Sequence, residues 1–205
     1  MRTQRGLLSL FCATVILSGC AQPPTDQLNA AEQAVKDAQE SGAGTYLPDE
    51  YAKLEGTVSA MKKEVADQEA KFALIRDYGK AEQLAASARA EAERVKAEAV
   101  KKLEEAKSAA VQVHRDAQEA VKTAMDLVAK APAGKDRAAL ESIKTDVEAL
   151  RASLNDVQMM IDKSDYLAAK AKAAAITEKS RAVAQEIETA LAKIAKAKPA
   201  AGKRK

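Results

Sequence analysis

Residues 79–130 read GKAEQLAASARAEAERVKAEAVKKLEEAKSAAVQVHRDAQEAVKTAMDLVAK, a stretch with no proline and no interior glycine. Ala, Glu, Lys, Gln and Arg dominate it, and these are strong helix formers. The pattern predicts one continuous helix from Gly79 to about Lys130, roughly 75 Å long at 1.5 Å per residue. Its inward stripe is made of small residues: Leu84, Ala88, Val95, Ala99, Ala106, Ala110, Val113, Ala117 and Ala124. A buried methyl contributes far less than the ~1.5–3 kcal/mol of a buried Leu or Phe, so such a stripe favours close helix contact over a thick core. The fold class expected from it is all-α, elongated, and built from antiparallel helical hairpins of coiled-coil type.

The flanking segments carry larger apolar side chains at heptad spacing. Before the long helix these are Tyr51, Leu54, Val58, Met61, Val65, Phe72 and Ile75, with Gln68 the one polar interruption. After it the stripe is Leu140, Ile143, Val147, Leu150, Leu154, Val157, Ile161 and Ser164, each 89 positions beyond its counterpart. Alternating steps of three and four are the signature of a helix that buries one narrow seam. Each stripe runs into an Asp-Tyr pair, Asp77-Tyr78 or Asp165-Tyr166, followed by an alanine-rich segment. This reads as an internal duplication of a helix–turn–helix unit with one residue of slip at the turn. Coincidence between two generic heptad patterns is the alternative.

The remaining boundaries follow from local punctuation. Thr25 is expected to cap a first helix reaching about Glu40, with Leu28, Ala31, Val35 and Ala38 on one face. Ser41-Gly42-Ala43-Gly44 should end it, and Tyr46-Leu47-Pro48 should form a corner with Pro48 in the next opening turn. Ala131-Pro132-Ala133-Gly134 should break the long helix, and Asp136 should cap its successor, which runs to about Lys163. Ser164 is expected to cap the last helix, with Ala169, Ala173, Ile176, Ser180, Val183, Ile187, Ala190 and Ile194 facing inward. Lys198-Pro199 should stop that helix. Tight turns make neighbouring helices antiparallel, so the layout expected is two slim three-helix bundles sharing the long helix. By segment, this gives a leader at 1–19, a tether at 20–25, a first helical unit at 26–130, a second hairpin at 131–197 and a basic tail at 198–205.

The leader has the three parts of a secretion signal. Arg2 and Arg5 form a positive start, Gly6 to Leu17 an apolar run, and Ser18 and Gly19 a small-residue exit. The run is too short for the roughly twenty residues a membrane-spanning helix needs. Leu17-Ser18-Gly19-Cys20 resembles the lipobox of bacterial lipoproteins. The resemblance implies diacylglycerol on the Cys20 thiol, cleavage before Cys20, and N-acylation there. Two or three acyl chains would make a stable anchor where one would not. Ala21, rather than Asp, follows Cys20, and by resemblance to enterobacterial sorting this implies the outer membrane, with the body on its periplasmic face.

Composition narrows the functions. With the leader gone and Cys20 consumed by lipid, no thiol remains for a disulfide or a metal site, and His114 is the only histidine. Losing Arg2 and Arg5 takes the formal charge from +3 to +1, two cations fewer. A balance that close to neutral is no nucleic-acid signature. Acidic residues alternate with Lys and Arg at helical spacing, the mark of a solvated face with i,i+4 pairs. No nucleophile motif, phosphate-binding loop or cofactor fingerprint is present. The expectation is therefore a non-enzymatic protein with no cofactor or metal beyond its lipid, and Tyr78 and Tyr166 as turn residues closing each hairpin.

From Ala30 to about Ala99 the chain resembles an uncharacterised domain family of Gram-negative outer-membrane lipoproteins. The residues that carry the likeness are Gly42-Ala43, Tyr46, Pro48, Asp77-Tyr78 and Ala81. The likeness implies helical structure and envelope location, and no activity. In that family a peptidoglycan-binding domain often follows, and no β-strand pattern for one is present here. Lys203-Arg204-Lys205 resembles the end of the murein lipoprotein, which implies attachment of the Lys205 side chain to peptidoglycan. A basic tail in contact with anionic envelope polymers is the simpler reading. Function is thus expected to be a spacer or tether from the outer membrane towards peptidoglycan. The rival is an accessory module that docks a coiled-coil partner, or a second copy of itself, in an envelope, secretion or efflux assembly.

Overall fold

A computed structural model of the chain describes residues 22–131 and 137–197. Among the described residues the order is α1 (Thr25–Glu40), α2 (Ala43–Tyr46), α3 (Pro48–Glu69), a 3-10 turn (Ala73–Ile75), α4 (Gly79–Lys130), α5 (Arg137–Asp162) and α6 (Tyr166–Ala197), with no strand. The protein is all-α, and α4 runs unbroken for 52 residues. The chain divides into two compact units, with the division inside α4 between Lys96 and Ala97.

In the first unit, α1 and the start of α4 run in the same direction and α3 runs against both. Three ion pairs fix this register: Lys62 of α3 with Glu32 of α1 (3.1 Å), Lys80 of α4 with Glu64 of α3 (2.7 Å), and Lys96 of α4 with Asp37 of α1 (3.3 Å). Alanines line the seam between the two parallel helices, with Ala31, Ala34 and Ala38 on α1 and Ala81, Ala85, Ala88 and Ala92 on α4 all buried. The large buried side chains come from α3, where Leu54 and Met61 lose essentially all their exposure. Each contributes about 1.5–3 kcal/mol by leaving water.

The second unit packs the rest of α4 against α5 and α6. Its core joins Ala110, Ala117 and Val121 of α4, Val157 of α5, and Tyr166, Ala169, Ala173 and Ile176 of α6, with Leu150, Leu154 and Ile161 packed against them. Burial follows the duplicated pattern with the expected slip. Tyr78, Ala81, Ala85, Ala88 and Ala92 are buried, and so are Tyr166, Ala169, Ala173, Ile176 and Ser180, each 88 positions later. The inward stripe of α6 departs from the expected one at Ala190, which is exposed.

Several boundaries differ from the sequence reading. Thr25 opens α1 as its first residue, and its Oγ1 donates to the Pro23 carbonyl (3.3 Å) instead of capping the helix. The two prolines before it already fix the entry, and the Thr25 backbone N–H also bonds the Pro23 carbonyl (2.8 Å). Gly42 does end α1, with φ 89° and its N–H on the Gln39 carbonyl (2.9 Å). Pro48 does occupy the first turn of α3.

Ser164 does not cap α6. It sits at φ 61° just after α5, its N–H bonded to the Ile161 carbonyl and the Asp165 N–H to the Met160 carbonyl, both at 2.9 Å. That pair of bonds is a Schellman helix ending with serine where glycine is usual. The cap of α6 is Asp165, whose Oδ1 accepts from the Ala168 N–H (3.3 Å). A heptad pattern does not distinguish the last residue of one helix from the first of the next, hence the one-residue error. Asp136, the 132–134 break, Lys198 and Pro199 lie outside the described residues.

Candidate functional site

Cys20, the residue expected to carry lipid, and Leu17, Ser18 and Gly19 of the lipobox before it lie outside the described residues, as do Lys203, Arg204 and Lys205 at the other end. Gln22 leads through Pro23 and Pro24 into α1. The registers above place this entry at the same end of the first unit as the last turn of α3 and the first turn of α4.

The α3–α4 connection occupies that end, and it departs from the sequence expectation. The stripe carried Phe72 and Ile75 as inward positions of one helix. Instead α3 stops at Glu69, and Phe72, Leu74 and Ile75 stand 71%, 77% and 66% exposed. Hydrogen bonds hold the chain in this course. The Arg76 guanidinium donates through Nε to the Lys71 carbonyl (3.0 Å) and through Nη2 to the Glu69 carbonyl (2.8 Å), satisfying acceptors that the end of a helix leaves open. Gln68 is buried, and its Oε1 accepts from the Asp77 N–H and from Lys71 Nζ, both at 3.0 Å, while Nε2 donates to Glu64 Oε1 (2.8 Å). The single polar break in the stripe is thus the clamp of the turn. Lys80, and then Gln68, hold the Glu64 carboxyl below its ordinary range.

On the far side of the turn Asp77 Oδ1 accepts from the Gly79 N–H (2.9 Å), and Tyr78 is buried. Tyr166 is buried in the second unit, with its hydroxyl 3.3 Å from Ser164 Oγ. Tyr78 immediately precedes α4 and Tyr166 is the first residue of α6, so both stand at the turns where the sequence places them. The Tyr78 hydroxyl is buried and meets no partner among the described residues.

His114 lies on α4 within the second unit and is buried. Its Nε2 meets no partner among the described residues, and the ring bonds the Leu154 backbone. Burial pushes its pKa below the ordinary 6.5, opposed by the Leu154 bond, so the ring stays neutral near pH 7. A shallow groove between α4 and α6 is lined by Val113, Asp116, Thr177, Glu178 and Arg181, a mixed-charge surface with no nucleophile–base pair. Among the described residues no group of three or more His, Cys, Asp or Glu is arranged to hold a metal ion. Among them also, no helix is long and apolar enough to cross a membrane.

Sequence reasoning missed the exposed Phe72–Ile75 tip. The available signal was the length mismatch, since the duplicate passes from stripe to Asp-Tyr with one residue fewer. No family model, curated protein or solved structure matches the chain.

Proposed function

We propose that the chain is a non-enzymatic outer-membrane lipoprotein, anchored through acylated Cys20, whose helical body serves as a periplasmic spacer or tether towards peptidoglycan. The observation that carries this reading is directional. The chain enters α1 five residues after Cys20, and α4 begins at that same end of the first unit and continues for 52 residues without a break. A lipid anchor at the entry and a stiff helix leading away from it suit a spacer. The resemblance of the Cys20 region to a lipobox, and of the C-terminal lysines to a peptidoglycan attachment end, supports the same assignment. In this reading Lys205, with Lys203 and Arg204, contacts the sacculus.

Palmitate labelling of cells tests the anchor: the parent should take up label and a Cys20→Ser variant should not. Equal labelling of the two rejects acylation at Cys20. Isolated sacculi test the far end, where retention of the parent and its loss on deleting residues 203–205 are expected. If crosslinked cells instead yield one stoichiometric protein partner, with no retention on sacculi, the docking-module reading replaces the tether.

A further inference from the structure

The exposed tip between α3 and α4 calls for an occupant, and its position in the first unit names one. Single exposed apolar residues are ordinary on protein surfaces, and Val100, Met159 and Leu167 are of that kind. Three large ones within four residues, each 66% exposed or more, are not.

The duplicate shows that this exposure is a local departure. The counterpart of Phe72, 89 positions on, is Ile161, which remains helical in α5 and packs against the core of its unit. There α5 and α6 are joined by only Lys163, Ser164 and Asp165. In the first unit the helix stops seven residues before Arg76, and Arg76 and Gln68 tie the connection into its open course. The 3-10 turn is closed by the Ile75 N–H on the Phe72 carbonyl (3.0 Å). The tip is a hydrogen-bonded structure, not a frayed helix end.

We propose that Phe72, Leu74 and Ile75 insert into the surface of the lipid bilayer beside the N-terminal tether, giving the first unit a second, non-covalent hold on the membrane. This rests on the anchor reading for which way the unit faces. Five residues, Cys20 to Pro24, separate the acylated position from α1, a reach of about 16 Å when extended. The α3–α4 tip lies at the end of the unit where that tether enters, so a bilayer holding Cys20 is within its range. The flanking charges do not favour an anionic surface. Lys71, Arg76 and Lys80 are matched by Asp67, Glu69, Asp77 and Glu82. The hold is therefore apolar, and it should be as strong on zwitterionic lipid as on anionic lipid and indifferent to salt.

The chain contains no Trp, so Phe72→Trp supplies a sole indole reporter at an exposed position. The full chain is reconstituted in phosphatidylcholine vesicles with and without acyl-chain bromination, and Thr45→Trp, on α2 at the opposite end of the unit, serves as the reference. The expected result is a blue-shifted emission for Phe72→Trp and about twofold or greater quenching by brominated lipid, with Thr45→Trp unaffected. Leu74→Ser with Ile75→Ser should abolish the quenching. If Phe72→Trp floats with the vesicles yet is quenched no more than Thr45→Trp, the proposal is wrong. A blue shift in lipid-free solution that grows with protein concentration assigns the tip to a second copy of the chain, and also overturns it. Palmitate labelling of the same preparations keeps the two readings apart. A labelled chain with an unquenched tip leaves the anchor standing and removes the tip contact, whereas quenching without label does the reverse.

Discussion

Ser180 and Ala92 occupy equivalent places in the two units, and exchanging their chemistry should move stability in opposite directions. Both are fully buried, and the Ser180 hydroxyl meets no partner among the described residues. Stranding a hydroxyl away from water costs about 1–3 kcal/mol. Serine is also roughly 0.5 kcal/mol less favourable than alanine inside a helix. Removing one buried oxygen forfeits several weak dispersion contacts of about 0.1–0.2 kcal/mol each. Ser180→Ala should therefore stabilise the second unit by about 1–2 kcal/mol, and Ala92→Ser should destabilise the first by a similar amount. Urea unfolding followed by circular dichroism would show this as an opposite shift of the midpoint at unchanged slope, about 0.5–1 M for a slope near 2 kcal/mol/M. Native-state hydrogen exchange assigns each change to its own unit, which matters because two units need not unfold in one step. A Ser180→Ala change within about 0.3 kcal/mol of zero would mean that the hydroxyl is satisfied, for example by turning to a carbonyl of its own helix. The reasoning would then fail.

Other substitutions test the remaining polar features. His114 is held neutral by burial, so unfolding below pH 6.5 takes up a proton, and stability should fall as pH drops from about 6.5 towards 5. His114→Leu should flatten that portion of a pH–stability curve, and an unchanged slope would show that the ring is not the titrating group. Gln68→Leu restores an unbroken apolar stripe yet should cost about 1 kcal/mol, because it removes the acceptor of the Asp77 N–H. A gain in thermal midpoint for that variant would refute the clamp. At the α5–α6 turn, Ser164→Val should cost about 1–2 kcal/mol for a branched residue at φ 61°, and Asp165→Ala about 1 kcal/mol for a lost cap. If Asp165→Ala is neutral in urea unfolding, the cap has been placed wrongly.

The all-α class, the long helix and the inward faces were legible because periodicity reports which side of a helix is apolar. Ala88, Val95, Ala99, Ala110, Ala117 and Ala124 are buried as their spacing demands. Periodicity does not report where a helix stops when no glycine or proline marks the place. Residues 69–72, Glu-Ala-Lys-Phe, contain neither, so the end of α3 was invisible and Phe72 and Ile75 were misassigned. The ending depends on Arg76 reaching back to the carbonyls of Glu69 and Lys71, a contact between residues up to seven apart that no local propensity encodes. Gln68 was noticed as an interruption, but its role needed the turn it clamps. Ser164 was misread for a related reason, since serine is common at helix starts and rare in the left-handed position it occupies here.

The alanine seams have a calorimetric consequence. Heat capacity of unfolding grows with the apolar area that becomes hydrated, and a buried methyl hides little of it. The chain should therefore unfold with a heat-capacity increment below the usual ~12–15 cal/mol/K per residue. Its stability curve should be correspondingly shallow, varying little from cold to warm and bending only weakly towards cold denaturation. A protein built this way resists temperature change through flatness of response instead of depth of the free-energy well.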